Sequence, residues 1–334
     1  MERQNQSTFT EFLLLGFSDR PTLQLPLFIL FLLMYLITLL GNTLIITLVY
    51  IDCRLHVPMY ILLCNLSFFD VCYTSVSLPK LMEIHLMQHK IISFAGCMTQ
   101  FYFFSSFVIA EYYILAMMAF DRYVAICKPL HYTVIMTRRL CFLLSSISWA
   151  AGFLSSIALT ALLSGLSFCF SNVINHLVCE VKPLMKLSCS DTSMLETVIY
   201  VEAVVCAFSP FTLICSSYFY IISTIIQIHS NEGRRKAFST CSSHLTIVCL
   251  FCGILICTYI GPTSKGSREN DKVLALLYST VIPMLNPIIY SLRNRQVKRA
   301  LTDTDLKEII GDWPKITFSG DKSLKIMLAP SLPK

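Results

Sequence analysis

Two carboxylates, Asp70 and Glu111, lie in successive apolar stretches, where an ionisable side chain is costly. On helices they would lie about 18 Å and about 16 Å from the same end of their spans, and thus at nearly one depth. Such a pair either retains a proton or shares a cation such as sodium. Alternatively, both acids are neutral and bond to nearby polar side chains: Asn42, Ser67 and Asn286.

A third acid belongs to Asp121-Arg122-Tyr123, which follows an almost wholly apolar stretch and precedes Lys128-Pro129. Charges and a tyrosine in this position are typical of a membrane helix that ends at the water interface. Pro129 helps to end the helix. Taken alone, the cluster indicates an ordinary interfacial helix end.

Two later stretches also place polar groups in apolar helices. The stretch from Lys236 to His244 has a basic start and then hydroxyl side chains, and His244 either senses protonation or stays a neutral hydrogen-bonding group. Pro287 inside a helix frees a carbonyl and permits a kink. Asn286 is a candidate to bridge the freed groups, with Tyr290 one turn nearer the inner face. The alternative is a kink without a switching role.

An enzyme is not expected. The sequence has no Gly-rich phosphate loop and no HExxH motif, and its Ser, His and Asp residues are not in nucleophile-and-base order. The net charge of +6 is better explained by loop charges that orient a membrane protein than by nucleic-acid binding.

Membrane helices must position these residues. Of 334 residues, 55% are hydrophobic and 14% are charged, whereas soluble proteins have about 25% charged residues. Seven apolar stretches can each cross a hydrocarbon layer of about 30 Å, which takes about 20 helical residues. We therefore expect an all-α membrane protein, a seven-transmembrane helix bundle. Its predicted spans are 25–50, 58–78, 97–122, 140–162, 195–228, 237–260 and 272–292.

The distribution of basic residues favours an extracellular amino terminus, 1–24, and a cytosolic carboxyl terminus, 293–334. In this orientation only Asp52, Asp121 and Glu232 oppose the basic residues of the inner loops and the start of the tail. Those basic residues are Arg54, Arg122, Lys128, Arg138, Arg139, Arg234, Arg235, Lys236, Arg293, Arg295, Lys298 and Arg299. Asn5-Gln6-Ser7 is a glycosylation acceptor on the same outer side. We expect the tail to form a short amphipathic helix followed by disordered chain.

Four of the 15 cysteines fall in predicted outer segments, where the environment is oxidising: Cys97, Cys169, Cys179 and Cys189. An even number there predicts two disulfides, and the sequence alone does not choose among the three pairings.

Together, these stretches resemble the rhodopsin-like seven-helix receptors, and specifically the tetrapod-type (class II) odorant receptors, over about residues 10 to 300. The motifs that carry the resemblance are Pro58-Met59-Tyr60 with Leu66-Ser67 and Asp70, Met118 to Cys127 with Pro129-Leu130, Ser217-Tyr218, Lys236 to Leu245, and Pro283 to Tyr290. The resemblance implies that Cys97 pairs with Cys179 and that Cys169 pairs with Cys189.

The resemblance also implies the function of an odorant receptor in the plasma membrane of olfactory sensory cilia, in contact with membrane lipid. Such receptors bind small, mostly apolar volatile ligands and activate a stimulatory, olfactory-type heterotrimeric G protein, which raises cyclic AMP. The sixth helix swings outward to open an inner cleft. The implied switch residues are Asp121, Arg122, Tyr123, Tyr218, His244, Asn286, Pro287 and Tyr290.

The ligand pocket is expected in the outer half, between helices three, five, six and seven. From helical spacing, Phe104, Ser105, Val108 and Ile109 share one face. Carried over by position, the remaining lining residues are Glu202, Cys206, Leu255, Tyr259, Leu276 and Ser279. For the aliphatic members, plain helix packing is the alternative. We hypothesise that Glu202 favours ligands with an amine or a hydroxyl, because an intramembrane carboxylate needs a partner.

Three features depart from the family pattern: Phe120 and Cys252, each where tyrosine is usual, and a long tail from about Thr302. The basic start of the sixth helix, Arg234 to Lys236, repels Arg122 rather than locking it, so we expect Asp121 to hold Arg122 at rest. The alternative functions are a receptor for a non-volatile endogenous ligand outside the nose, a receptor-like protein without signalling, and a transporter or channel.

Overall fold

The computed structural model describes residues 10–17, 20–169, 171–260, 267–293 and 297. Within them, seven long helices form a bundle, which confirms the predicted fold class. They are α1 (Pro21–Ile51), α2 (Pro58–Met87), α3 (Phe94–Cys127), α4 (Arg138–Ser164), α5 (Ser193–Gln227), α6 (Asn231–Ile260) and α7, whose segments are Ser267–Leu276, Leu277–Val281 and Ile282–Arg293. Six of them are long and apolar enough to cross a membrane, and α6 adds the shorter apolar stretch Cys241–Ile254.

Short helical turns lie in the connections between these helices: Cys53–Leu55, Pro129–His131, Tyr132–Ile135 and Val181–Met185. Two long helices contain a wider π-helical segment, Ala203–Phe208 in α5 and Leu277–Val281 in α7. Such segments often mark functional positions in a helix. Both lie in helices that are expected to line the ligand pocket.

Local chemistry explains several helix ends. The Ser93 hydroxyl accepts a hydrogen bond from the Gly96 N–H at 3.1 Å and so caps α3. Thr137 caps α4 in the same way, through the Leu140 N–H at 3.2 Å. Gln88 ends α2 in the left-handed region with φ 57°.

Helix α2 runs to Met87, nine residues past the predicted end at 78. Pro79 lies within the helix, where it removes one backbone hydrogen bond without ending the helix. Beyond Pro79, the side chains of Leu81 and Ile84 are buried. Their packing offsets the destabilising effect of the proline, so the helix continues. The other long helices overlap the predicted spans, although α6 begins at Asn231 rather than at 237 and α3 ends at Cys127 rather than at 122.

Helix α3 lies at the centre of the bundle and contacts α2, α4, α5 and α6. Its crossing with α4 is very close at Gly152. A Cβ atom added at Gly152 would lie 2.2 Å from the Ser106 carbonyl oxygen and 2.9 Å from the Ala110 Cβ. Only a residue without a side chain fits there, so Gly152 sets the spacing of these two helices.

A three-stranded sheet covers part of the outer end, and we did not predict it from the sequence. Strand β1 (Glu11–Leu14) lies between β2 (Ile91–Ser93), which is antiparallel to it, and β3 (Val173–Ile174), which is parallel to it. Phe12 and Leu14 of β1 are buried, and the Phe12 ring packs edge-on against Phe168 at 5.2 Å. A strand of four residues is too short for its alternation to stand out in the sequence.

The outer segments are also joined by two disulfides, Cys97–Cys179 and Cys169–Cys189. These are the pairings that the family resemblance implies. The first links the start of α3 to the segment between α4 and α5, which we call the second outer loop (165–192). The predicted glycosylation site Asn5 and the tail 294–334, apart from Val297, lie outside the described residues.

Candidate functional site

The inner half of the bundle has a buried hydrogen-bond relay centred on His244 of α6. Its Nε2 lies 3.0 Å from the Leu115 carbonyl oxygen of α3, and its Nδ1 lies 2.7 Å from the Tyr218 hydroxyl of α5. Because a carbonyl only accepts, Nε2 must carry the hydrogen, and neutral His244 then accepts from Tyr218 at Nδ1. One fully buried side chain thus joins three helices.

Asp121 is fully buried at the inner end of α3. Its Oδ2 accepts a hydrogen bond from the Arg122 Nε at 3.0 Å and a second, short one from Arg122 Nη2. Its Oδ1 accepts from the Tyr132 hydroxyl at 2.8 Å. The Asp121–Arg122 pair is the one we expected to hold the resting state. We did not predict the role of Tyr132. It lies eleven residues after Asp121, beyond the end of α3, and no helical spacing links the two positions.

Tyr123 lies on a different side of α3 from this ion pair. Its ring lies 5.8 Å from the Tyr220 ring of α5, and the Lys128 Nζ lies 5.9 Å from the Tyr123 ring. Tyr290, in contrast, is buried in α7, and its hydroxyl has no hydrogen bond among the described residues. The switch roles of Tyr123 and Tyr290 stay predictions.

Pro287 frees a carbonyl in α7, as expected, but Asn286 is not the residue that satisfies it. The freed group is the Pro283 carbonyl, four residues earlier, and it accepts a hydrogen bond from Asn42 Nδ2 of α1 at 3.1 Å. Asn286 instead donates to the two Asp70 oxygens at 3.0 and 2.9 Å. Gly41 permits the close approach of α1 to α7 that the Asn42 bond needs, since a Cβ at Gly41 would lie 2.8 Å from Pro287 Cγ.

Asp70 and Glu111 lie in a buried polar layer between α2, α3 and α7. Asp70 has the Asn286 amide as donor, whereas neither Glu111 oxygen has a hydrogen bond among the described residues. The Asn286 Oδ1 and the Tyr290 hydroxyl are buried and unbonded as well. The shared proton and the sodium ion stay alternative predictions for these two acids.

In the outer half, α3 places two predicted pocket residues in different surroundings. Phe104 is buried, with its ring 4.8 Å from Tyr73 of α2 and 6.0 Å from Tyr278 of α7. The Ser105 hydroxyl instead lies 3.1 Å from the Ser156 hydroxyl of α4. This contact gives Ser105 a helix-packing role, and its contribution to the pocket stays a prediction.

Of the other predicted pocket residues, Val108, Ile109, Cys206 and Leu276 are half-buried. The Ser279 hydroxyl lies 3.2 Å from that of Thr280 in the π-helical segment of α7. The side chains of Leu255 and Tyr259 lie outside the described part of the chain. These residues stay predictions as ligand contacts.

Glu202 precedes the π-helical segment of α5 and is half-buried. Its Oε1 is buried and has no hydrogen bond among the described residues. Nearby, the Tyr113 hydroxyl of α3 donates to the Val205 carbonyl at 3.1 Å, and so satisfies a backbone group of that segment. In the part of the chain that the structure describes, one Glu202 carboxylate oxygen therefore has no hydrogen-bond partner.

Cys252, where the family usually has tyrosine, is buried at the level of Tyr112 of α3. The Cys252 Sγ lies 3.7 Å from the Tyr112 hydroxyl, and the neighbouring Phe251 ring lies 5.4 Å from the Tyr112 ring. The smaller thiol therefore contacts a tyrosine supplied by another helix.

The second outer loop brings charged groups to the outer end of α7. The Tyr278 hydroxyl donates a short hydrogen bond to Glu180 Oε1. On the other side of this carboxylate, Oε2 lies 3.8 Å from His176 Nε2. Partial burial lowers the pKa of Lys182 from its ordinary value, while the negative charges of Asp271 and Glu180 oppose that shift.

Comparisons with known proteins identify the family. A sequence model of the olfactory receptors matches residues 31–307. Olfactory receptor 5AR1 of Mus musculus is 48% identical over 94% of this chain and 100% of its own length. Olfactory receptor 1F1 of Homo sapiens is 47% identical over 96% of this chain and 100% of its own length.

Among solved structures, squid rhodopsin has a similar fold, with a TM-score of 0.65 at 18% identity. The match covers 87% of this chain and 88% of the rhodopsin. The sequence identity and the matched length indicate one family, and the seven-helix architecture is consistent with it. The chain therefore belongs to the olfactory receptor family, as a multi-pass receptor of the plasma membrane and not an enzyme.

Proposed function

We propose that this receptor, with its amino terminus outside the cell, binds small, mostly apolar volatile ligands in the outer half of its helix bundle. Binding activates a stimulatory, olfactory-type G protein at the inner face and raises cyclic AMP, in the sensory cilia of olfactory neurons. The full-length similarity to olfactory receptors supports this assignment.

The observation that carries the proposal is the relay of His244. It ties α6 to α3 and α5 through two buried hydrogen bonds, and these helices also extend into the outer half. A ligand that binds better when the relay is open shifts the receptor toward that state by its differential affinity. In this proposal the two hydrogen bonds hold α6 at rest, and their loss accompanies its release.

The test is a panel of volatile compounds applied to cells that express the receptor and report cyclic AMP. We expect at least one compound to raise cyclic AMP and expect Arg122→Ala to abolish that response at equal surface expression. Arg139→Ala, at an exposed position of the inner face, is the matched control and should respond normally. A full response from Arg122→Ala would contradict the coupling role, and a ligand-evoked current without any G protein would favour a channel.

We further propose that Glu202 selects ligands that carry an amine or a hydroxyl. Its buried Oε1 has no hydrogen bond among the described residues, and it lies about one helical turn before the predicted pocket residue Cys206. Glu202→Gln keeps the size and removes the charge, so it should lower the potency of amines relative to alcohols and hydrocarbons. Glu196→Gln is the control, because Glu196 is exposed and bonded to Thr192. An unchanged rank order of ligands would refute this role.

Finally, we propose that Asp70 and Glu111 share a sodium ion in the ligand-free receptor. Supporting this, the Glu111 oxygens and the Asn286 Oδ1 are buried acceptors without hydrogen bonds among the described residues. The melting temperature of the purified receptor should rise when sodium replaces N-methylglucamine, and Asp70→Asn should remove that rise. An equal melting temperature in the two salts would instead indicate a shared proton.

A further inference from the structure

The second outer loop is fixed firmly to α3 around residue 179. The Cys97–Cys179 disulfide joins the loop to the first turn of α3. Beside it, the Cys179 N–H donates to Gln100 Oε1 at 3.0 Å, and Gln100 Nε2 in turn donates to the Val76 carbonyl of α2 at 3.1 Å. This side of the loop therefore cannot leave the bundle without a covalent change.

The next residue of the loop contacts α7. Glu180 accepts the short hydrogen bond from the Tyr278 hydroxyl, across 98 residues of sequence. A phenol bonded to a carboxylate is a charge-assisted hydrogen bond, which is stronger than a neutral one. The Glu180 side chain is 18% exposed and Tyr278 is 7% exposed, so the bond is largely shielded from water.

Tyr278 also reaches the predicted ligand pocket. It belongs to the π-helical segment of α7, and its ring packs against Phe104 at 6.0 Å with an interplanar angle of 63°. Phe104 was predicted from helical spacing to line the pocket. One tyrosine therefore contacts the outer loop through its hydroxyl and the pocket wall through its ring.

We propose that the Glu180–Tyr278 hydrogen bond is a latch that closes the second outer loop over the ligand pocket. With the α3 side of the loop held by the disulfide, breaking this bond lets the loop segment after Cys179 lift away from α7. Ligand entry then requires a transient opening of the latch. Because Tyr278 packs on Phe104, a ligand that displaces Phe104 also alters the position of the tyrosine and the strength of the latch.

The test is hydrogen–deuterium exchange of the purified, ligand-free receptor, with D₂O as the probe. The reporter is the short helix Val181–Met185, whose Leu184 N–H bonds to the Glu180 carbonyl at 3.2 Å. Tyr278→Phe keeps the ring on Phe104 and removes the hydroxyl. Loss of a hydrogen bond to a charged group should speed exchange in this helix by roughly tenfold or more.

Three comparisons make the test specific. Tyr200→Phe, at a side chain that is 73% exposed, should leave exchange unchanged. Glu180→Gln retains an acceptor without charge and should produce a smaller increase than Tyr278→Phe. Combining Glu180→Gln with Tyr278→Phe should speed exchange little more than Tyr278→Phe alone, because both changes act on the same hydrogen bond.

Unchanged exchange at residues 181–185 in Tyr278→Phe would overturn the latch. So would an equal rise at the β1–β2 pairing, where the Leu14 N–H bonds to the Lys90 carbonyl at 2.8 Å, since that would mean general loosening. If Tyr278→Phe does not fold, exchange at residues 181–185 is measured in Glu180→Gln instead, and unchanged exchange there would overturn the latch. The latch as a pocket closure rests on the proposed function, but its test needs no odorant, so the two can fail separately.

Discussion

Replacing His244 with phenylalanine should raise the activity of the receptor in the absence of ligand. The substitution keeps a planar ring of similar size between α3, α5 and α6. It removes both hydrogen bonds, at 3.0 Å to Leu115 and at 2.7 Å to Tyr218. The Leu115 carbonyl keeps its own helical acceptor role in α3, so no new buried carbonyl is left without a donor.

The size of the effect follows from the two bonds. Hydrogen bonds between membrane helices contribute about 0.6 kcal/mol on average and up to about 1.7 kcal/mol. Two of them give about 1 to 3 kcal/mol, a shift of about 5- to 150-fold in the ratio of active to resting receptor. If about 1% of the receptor is active at rest, that fraction rises to roughly 5% to 60%.

The assay is basal cyclic AMP in cells that express wild-type and variant receptor at equal surface density. His229→Phe is the matched control, because His229 is exposed in the inner loop between α5 and α6. Basal cyclic AMP in His244→Phe at or below the wild-type level, with the variant at the surface, would refute the relay as the restraint on α6.

Two further variants test the ion pair at the inner end of α3 and the packing of α3 against α4. Asp121→Asn leaves Arg122 without its anionic partner and should raise basal cyclic AMP; a level no higher than wild type would reduce the ion pair to an orienting contact. Gly152→Ala places a Cβ 2.2 Å from the Ser106 oxygen and should destabilise the receptor by about 1 to 3 kcal/mol. Gly253→Ala, whose Cβ would meet no atom within 4 Å, should melt like wild type, and equal melting of the two variants would contradict the packing argument.

The sequence was sufficient to predict the bundle because six spans are long and apolar and α6 still has a shorter apolar stretch, and local composition carries this signal. The acids, His244 and Pro287 were singled out for a similar reason, because such residues are conspicuous inside apolar helices, whereas Tyr218 was implied only by the family resemblance. Asp121 with Arg122 and His244 with Tyr218 are accordingly in contact in the structure.

The contacts that were missed depend on residues far apart in the chain. Asn42 satisfies the carbonyl freed by Pro287 across 241 residues, and no local pattern favours Asn42 over Asn286 for that task. The same holds for Glu180 and Tyr278, which only the fold brings together. The sheet was missed because its strands have two to four residues and one of them lies in a segment that we treated as a plain terminus.

In the proposed mechanism, ligand binding in the outer half releases α6 and drives nucleotide exchange on a G protein. The most direct measurement is nucleotide exchange on a purified stimulatory G protein by the receptor in lipid nanodiscs, with and without a compound active in the cellular panel. The compound should accelerate exchange, and Arg122→Ala should abolish the acceleration. Acceleration that persists in full in Arg122→Ala, or its absence with an intact, ligand-bound receptor, would contradict the account.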